Sequence, residues 1–246
     1  MDDVVKVASP GPGKVLARLL GSTIGLKAIM ALTGLALVGF VLVHMVGHLQ
    51  MFGEPDSARE AYNAYAHFLQ SLGGIKWAAR LGLLGATALH IFAFMKLAAR
   101  NRAARPANYQ DNKWLAASVG AKTMRVSGPL MFFFIGYHLL HFTVMKVSAE
   151  GYEAMTHTLK SGVVVPDAHG RMLAAFGNPL LTGIYVGAML LLGLHLAHGI
   201  QSSIQTLGLN NTTWRPLVQK AGVAVSAIVV LGFVAVPLAI AAGVIH

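Results

Sequence analysis

Five stretches of the chain, about Ala28–Phe52, Trp77–Ala98, Val126–Met145, Pro179–Ser203 and Ala221–Ile245, each run for at least 20 residues with almost no charge. At about 1.5 Å per residue, that length crosses the roughly 30 Å hydrocarbon core of a bilayer. Inside lipid every backbone N–H and C=O must be satisfied within the protein, and a continuous apolar run achieves this as a helix. The expected fold is therefore all-α: an integral membrane bundle of five transmembrane helices forming one domain over residues 1–246. Composition agrees, since 11% of residues are charged against about a quarter in soluble domains. The tail MDDVVKVASPGPGKVLARLLG lacks the apolar core and small-residue cleavage site of a signal peptide, so the first span is expected to be permanent.

Net charge is +10, but in a chain of this kind its distribution matters more than its sum. The tail, the loop between the second and third spans and the loop between the fourth and fifth hold 13 basic and 3 acidic residues, whereas the other two loops hold 6 of each. The positive-inside rule then places the N-terminus in the cytoplasm and the C-terminus outside. The basic loop ARNRAARPANYQDNKW suits lipid headgroups or an acidic partner, not nucleic acid. After the first span, FGEPDSAREAYNAYAHFLQSLGG reads as an interfacial amphipathic helix turned into the second span by Gly73-Gly74. The long segment between spans three and four is expected to cap that same face.

Seven of the eleven histidines lie in the spans: His44 and His48 in the first, His90 in the second, His138 and His141 in the third, His195 and His198 in the fourth. The fifth span has no ionisable residue and reads as a packing or lipid-facing helix. No span interior contains Asp or Glu, which argues against a proton relay of the usual mixed kind. The absence of cysteine excludes thiolate-bound clusters and thioether-linked haem.

Depth sorts the histidines. Successive helices alternate in direction, so distance from flanking charges and prolines places His44 and His138 in the outer half, and His90 and His195 in the inner half. Two neutral imidazoles facing each other across a bundle meet the requirement of bis-histidine haem b ligation. The two levels are expected roughly 10–15 Å apart by helix rise. A zinc or copper site would want three or four ligands at one depth instead.

Four stretches carry a resemblance: TGLALVGFVLVHMVGHLQMF (33–52), LGLLGATALHIFAFMK (81–96), GPLMFFFIGYHLLHF (128–142) and GLHLAHGIQSSIQTLG (193–208). In order and topology they resemble the single-chain, five-helix, dihaem cytochrome b anchor of succinate dehydrogenases and fumarate reductases. The resemblance implies two haem b groups, with His44 and His138 as axial ligands of the outer one and His90 and His195 of the inner one. It selects His195 over His198 because the ligand stands four residues before the helix glycine, here Gly199. It further implies flavoprotein and iron–sulfur subunits on the cytoplasmic side of a bacterial inner membrane, and membrane quinone, menaquinone or ubiquinone, as substrate. Some fumarate-reducing relatives carry a glutamate where this chain has Gly193, and another near the double glycine. Their absence here makes a copied proton pathway doubtful and leaves His67 and Gln70 as candidates for the second group and for the quinone site. Lys96, Arg125 and Arg171 are the propionate candidates by depth. Competing readings are the cytochrome b anchor of a hydrogenase or formate dehydrogenase, and a non-haem transporter.

Overall fold

The computed structural model describes residues 11–104, 119–147 and 151–246. Five helices in it are long and apolar enough to span a membrane, and the protein is a multi-pass, all-α membrane bundle. They are α2 (Thr23–His48), α4 (Gly74–Ala103), α5 (Val119–His138), α7 (Pro179–Thr206) and α8 (Arg215–Ala241). Most extend past the apolar stretches because residues such as Lys76 and Arg100 continue the helix into the interface, apolar stem in lipid and charge in water. The last helix stops short of the expected Ile245, at Ala241, where Gly243 turns the chain with φ +71°.

Local chemistry fixes the ends. Ser22 caps α2 by accepting from the Gly25 N–H at 2.9 Å. Asn178 caps α7 by accepting from Leu180 at 2.9 Å and Leu181 at 3.4 Å, with Pro179 at the first helical position, where a missing N–H costs nothing. Gly73, at φ +52°, makes the turn into α4. Near the end of α5 the helix widens into a π turn over Leu139–Thr143, with Val144 N donating to Leu139 O at 2.8 Å. That extra residue per turn rotates His141 into the interior, where it is 1% exposed. Within the bundle α7 is central, packing against α2, α5 and α8, while α4 lies against α2.

Three further helices were only partly foreseeable. The amphipathic α3 (Pro55–Ser71) matches its expectation. The short α1 (Pro12–Gly21) in the tail does not follow from any apolar span. The segment before α7 is a cap, as expected, built from a hairpin of β1 (Thr156–Thr158) and β2 (Val164–Pro166) and from α6 (Ala168–Phe176). Its apolar core joins Met51, Tyr62, Tyr152, Phe176 and Tyr185 to Val236 of α8.

One buried carboxylate ties α3 to this cap. Asp167, 1% exposed, accepts from Arg59 at 2.5 Å, from Asn63 Nδ2 at 2.9 Å and from Gly170 N at 2.9 Å. Asn63 in turn accepts from the His169 N–H at 3.1 Å. A second tie runs from Glu60 to His157 at 3.2 Å and to the Lys160 N–H at 2.9 Å. Burial works to raise the pKa of Asp167, but hydrogen bonds from Gly170, Asn63 and Arg59 and the Arg59 charge hold it below its ordinary 3.8. A carboxylate depressed in this way contributes stability above its unfolded pKa and loses it as pH falls through the lower folded value. The knot is therefore intact at neutral pH and opens only in acid below about pH 4. Asp167→Ala is expected to destabilise the cap by about 2–3 kcal/mol, the cost of removing a charged acceptor from buried donors. Hydrogen exchange should accelerate across residues 156–176 and leave α7 and α8 unchanged; unaltered exchange in the cap would show that the knot does not hold it.

Candidate functional site

The spans bring four histidines together as two pairs at two levels. Toward the capped end, His44 of α2 and His138 of α5 have ring centres 6.0 Å apart. Toward the opposite end, His90 of α4 and His195 of α7 have ring centres 6.4 Å apart. A metal bonded by two facing imidazole nitrogens at about 2 Å each would separate the ring centres by roughly 6 Å. The levels are well separated. His90 lies against Gly34 on α2, ten residues before His44, and His195 lies by Gly128 on α5, ten residues before His138. Both intervals give roughly 15 Å of helix rise.

Each pair reaches across a gap between helices. The closely packed backbones are α7 on α8, α2 on α4, α5 on α7 and α2 on α7. Neither histidine pair joins two helices of that set, since one links α2 to α5 and the other α4 to α7. A flat macrocycle with an axial ligand on either face needs its ligating helices held apart in this way. Among the described residues no three His, Cys, Asp or Glu side chains gather as a bare metal-ion site would require. Paired imidazoles, their spacing and the gaps between their helices fit a bis-histidine haem at each level.

At the lower level both histidines bond outward through Nδ1. His90 Nδ1 lies 3.1 Å from Met30 O and 3.2 Å from Thr33 Oγ1, and His195 Nδ1 lies 3.4 Å from Ser127 Oγ. These bonds leave Nε2 for a metal, the usual division of labour in a ligating histidine. His198, one turn on, packs its Cβ beside Gly120 of α5, while the ring that faces His90 is that of His195.

At the capped level the arrangement is different. The Tyr62 hydroxyl, kept protonated by a pKa that burial raises, bonds His48 Nδ1 at 2.8 Å. His48 Nε2 then meets His44 Nε2 at 3.3 Å, so ligation through His44 Nε2 requires that contact to give way. His138 Nδ1 is buried with no hydrogen-bond partner, as are His169 Nδ1 in the cap and Asn210 Oδ1; most buried polar groups find one. His141 is a satisfied core histidine, its Nδ1 2.9 Å from the Tyr185 hydroxyl.

The remaining candidates divide by place. Lys96 and Arg125 are exposed, with the Lys96 ammonium 5.8 Å from the Phe92 ring centre. Lys96 is six residues beyond His90, and Arg125 two before Ser127, so both flank the lower pair. Arg171 braces the cap instead, donating to Tyr152 O at 2.8 Å and Met155 O at 3.4 Å. His67 and Gln70 are exposed on the last turns of α3, and Gln70 accepts from Lys76 through its carbonyl at 2.7 Å and from Arg80 through Oε1 at 3.4 Å. Sequence reasoning missed Thr33, Ser127, Tyr62 and Phe233. The first two had a signal, a hydroxyl in an apolar span. The others had none, because their partners lie on other elements; Phe233 places α8 beside His44, with ring centres 5.7 Å apart.

No protein-family model, curated protein or solved structure matches this chain. The residues and their geometry therefore carry the functional reading.

Gly193 shows why α7 carries no acid beside its histidine. A Cβ there would stand 2.5 Å from Val230 Cγ2 of α8, and Gly193 O already accepts from Ser226 at 2.6 Å. Gly193→Ala is expected to cost about 1–3 kcal/mol through overpacking, with much of the loss recovered by adding Val230→Ala. Thermal unfolding in detergent checks this, and a stable single variant would show that the two helices move apart easily.

Proposed function

We propose that the chain is the dihaem cytochrome b membrane anchor of a succinate:quinone oxidoreductase, carrying electrons between a cytoplasmic iron–sulfur subunit and membrane quinone. The observation that supports this reading best is the pairing of four span histidines at two levels, each pair facing across a gap between helices. A bis-histidine haem b supplies a reversible one-electron carrier without an open coordination position. His44 and His138 would hold the outer haem and His90 and His195 the inner one. Lys96 and Arg125 are placed to meet carboxylates at the lower level, where charge-assisted bonds are strong.

Orientation follows from charge. The basic end of the bundle lies in the cytoplasm of a bacterial cell, with the protein in the inner membrane. Arg100 bonds Gly21 O at 2.9 Å and Thr23 Oγ1 at 3.3 Å, fastening the end of α4 to the junction of α1 and α2 beneath the docking face for the iron–sulfur and flavoprotein subunits. Residues 105–118, part of that basic loop, lie outside the described residues. Succinate chemistry would take place on the flavoprotein subunit. Quinone would react beyond the outer haem, near the exposed His67 of α3.

Two measurements test this. Purified protein is expected to show reducible b-type bands and about two haems per chain by pyridine haemochrome. His90→Ala is expected to lose the inner haem, because α4 holds no second histidine, whereas His48→Ala keeps haem content near two. Equal loss in both variants would overturn the ligand assignment, and absence of haem from the parent protein would remove the cytochrome reading. For the quinone site, replacing His67 and Gln70 together is expected to slow quinone-linked turnover while both haem spectra and succinate-to-soluble-dye activity persist. Unchanged quinone kinetics would exclude these two residues.

A further inference from the structure

The two acceptors around His90 fix more than its position. Thr33 Oγ1 donates its hydrogen backward along α2, lying 2.7 Å from Ile29 O and 3.3 Å from Met30 O. With that hydrogen engaged, the oxygen can only accept from His90 Nδ1, 3.2 Å away. The other neighbour of Nδ1, Met30 O at 3.1 Å, is a carbonyl and also only accepts. Nδ1 therefore carries the ring proton, and Nε2 keeps its lone pair. Gly34 completes the seat. A Cβ at Gly34 would stand 3.2 Å from His90 Cε1 and 3.5 Å from Nδ1, so the ring lies directly against the backbone of α2. The partner ligand is held less tightly, with Ser127 at 3.4 Å as its bond and Gly128 beside it.

We propose that Thr33 is the positioning residue of the inner haem: with Met30 O and Gly34 it locks His90 as its Nδ1–H tautomer and aims Nε2 at the His195 side of the gap. The inference rests on the cytochrome reading above. Thr33 touches no cofactor itself and acts through His90. Hydrogen bonds from the distal N–H of a ligating histidine raise the basicity of the ligating nitrogen and fix its ring plane. Losing one favours the reduced, less positively charged iron, so the midpoint potential of the inner haem should rise while the outer one stays where it is.

The test is Thr33→Val, which keeps the side-chain shape and removes the acceptor, beside Thr33→Ser, which restores a hydroxyl. Full-length chain in membranes is read by redox titration of the haem bands, by low-temperature electron paramagnetic resonance and by pyridine haemochrome. The expected result for Thr33→Val is an upward shift of the inner midpoint alone, an altered g-tensor for that haem, and inner-haem affinity lowered about tenfold. Thr33→Ser should return all three toward the parent values. Two haems in Thr33→Val with unchanged potentials and spectra would overturn the inference and leave the cytochrome reading standing. Equal loss of both haems in the Val and Ser variants would overturn it too, by showing that the residue serves packing alone. A parent protein without haem would instead defeat the reading on which the inference rests.

Discussion

A neutral imidazole in hydrocarbon brings one donor and one acceptor, and both must be met without water. That requirement organises this bundle. His141 meets it with Tyr185, and His48 with Tyr62 and His44. His90 and His195 spend Nδ1 on the neighbouring helix, and their ring centres stand 6.4 Å apart between α4 and α7. His138 leaves Nδ1 buried and unpartnered. His44, although its ring faces His138, has Nε2 engaged by His48.

The division between levels is also one of surroundings. The lower pair lies between α2 and α5 backbones that offer small hydroxyls and glycines: Thr33, Gly34, Ser127 and Gly128. The upper pair lies among rings. Phe40 stacks on His44 with centres 5.3 Å apart, Phe134 on His138 at 6.0 Å, and Phe233 approaches from α8. Hydroxyls and carbonyls orient a ring through directed bonds, whereas aromatic faces hold it by packing and leave its nitrogens freer to move. The two histidine pairs are thus held by different forces.

Much of the fold was legible because lipid removes alternatives. A run of 20 apolar residues has one local solution, so all five spans and the amphipathic α3 could be read without partners. Helix direction then followed from alternation, which is why depth alone grouped His44 with His138 and His90 with His195. What the sequence left open were relations across helices. His195 and His198 differ by less than one turn, too little for a depth argument, and only the packing of α7 against α5 turns His195 toward His90 and His198 toward Gly120. The Thr33 bond to His90 and the ties from Glu60 to the cap hairpin join residues 57 and 97 to 100 positions apart, and no periodicity records them or the π turn after His138. The loop from 105 to 118, read as part of a basic docking face, lies outside the described residues.

Helix α2 is the element through which these parts communicate. Its first half seats His90 through Met30, Thr33 and Gly34, and its second half carries His44 and His48. Through Tyr62, His48 reaches α3, and through Asn63 and Arg59 that helix reaches Asp167 in the cap. The side of α2 that faces α8 is close-fitting as well: Met45 occupies the space a side chain at Gly232 would need. A shift of α2 along its axis would therefore disturb both histidine levels and the cap at once, whereas α4, packed mainly on α2, can follow it. The fixed separation of the two histidine levels thus depends largely on one helix, and the polar knot at Asp167 holds α3, which reaches α2 through Tyr62 and His48, against the cap.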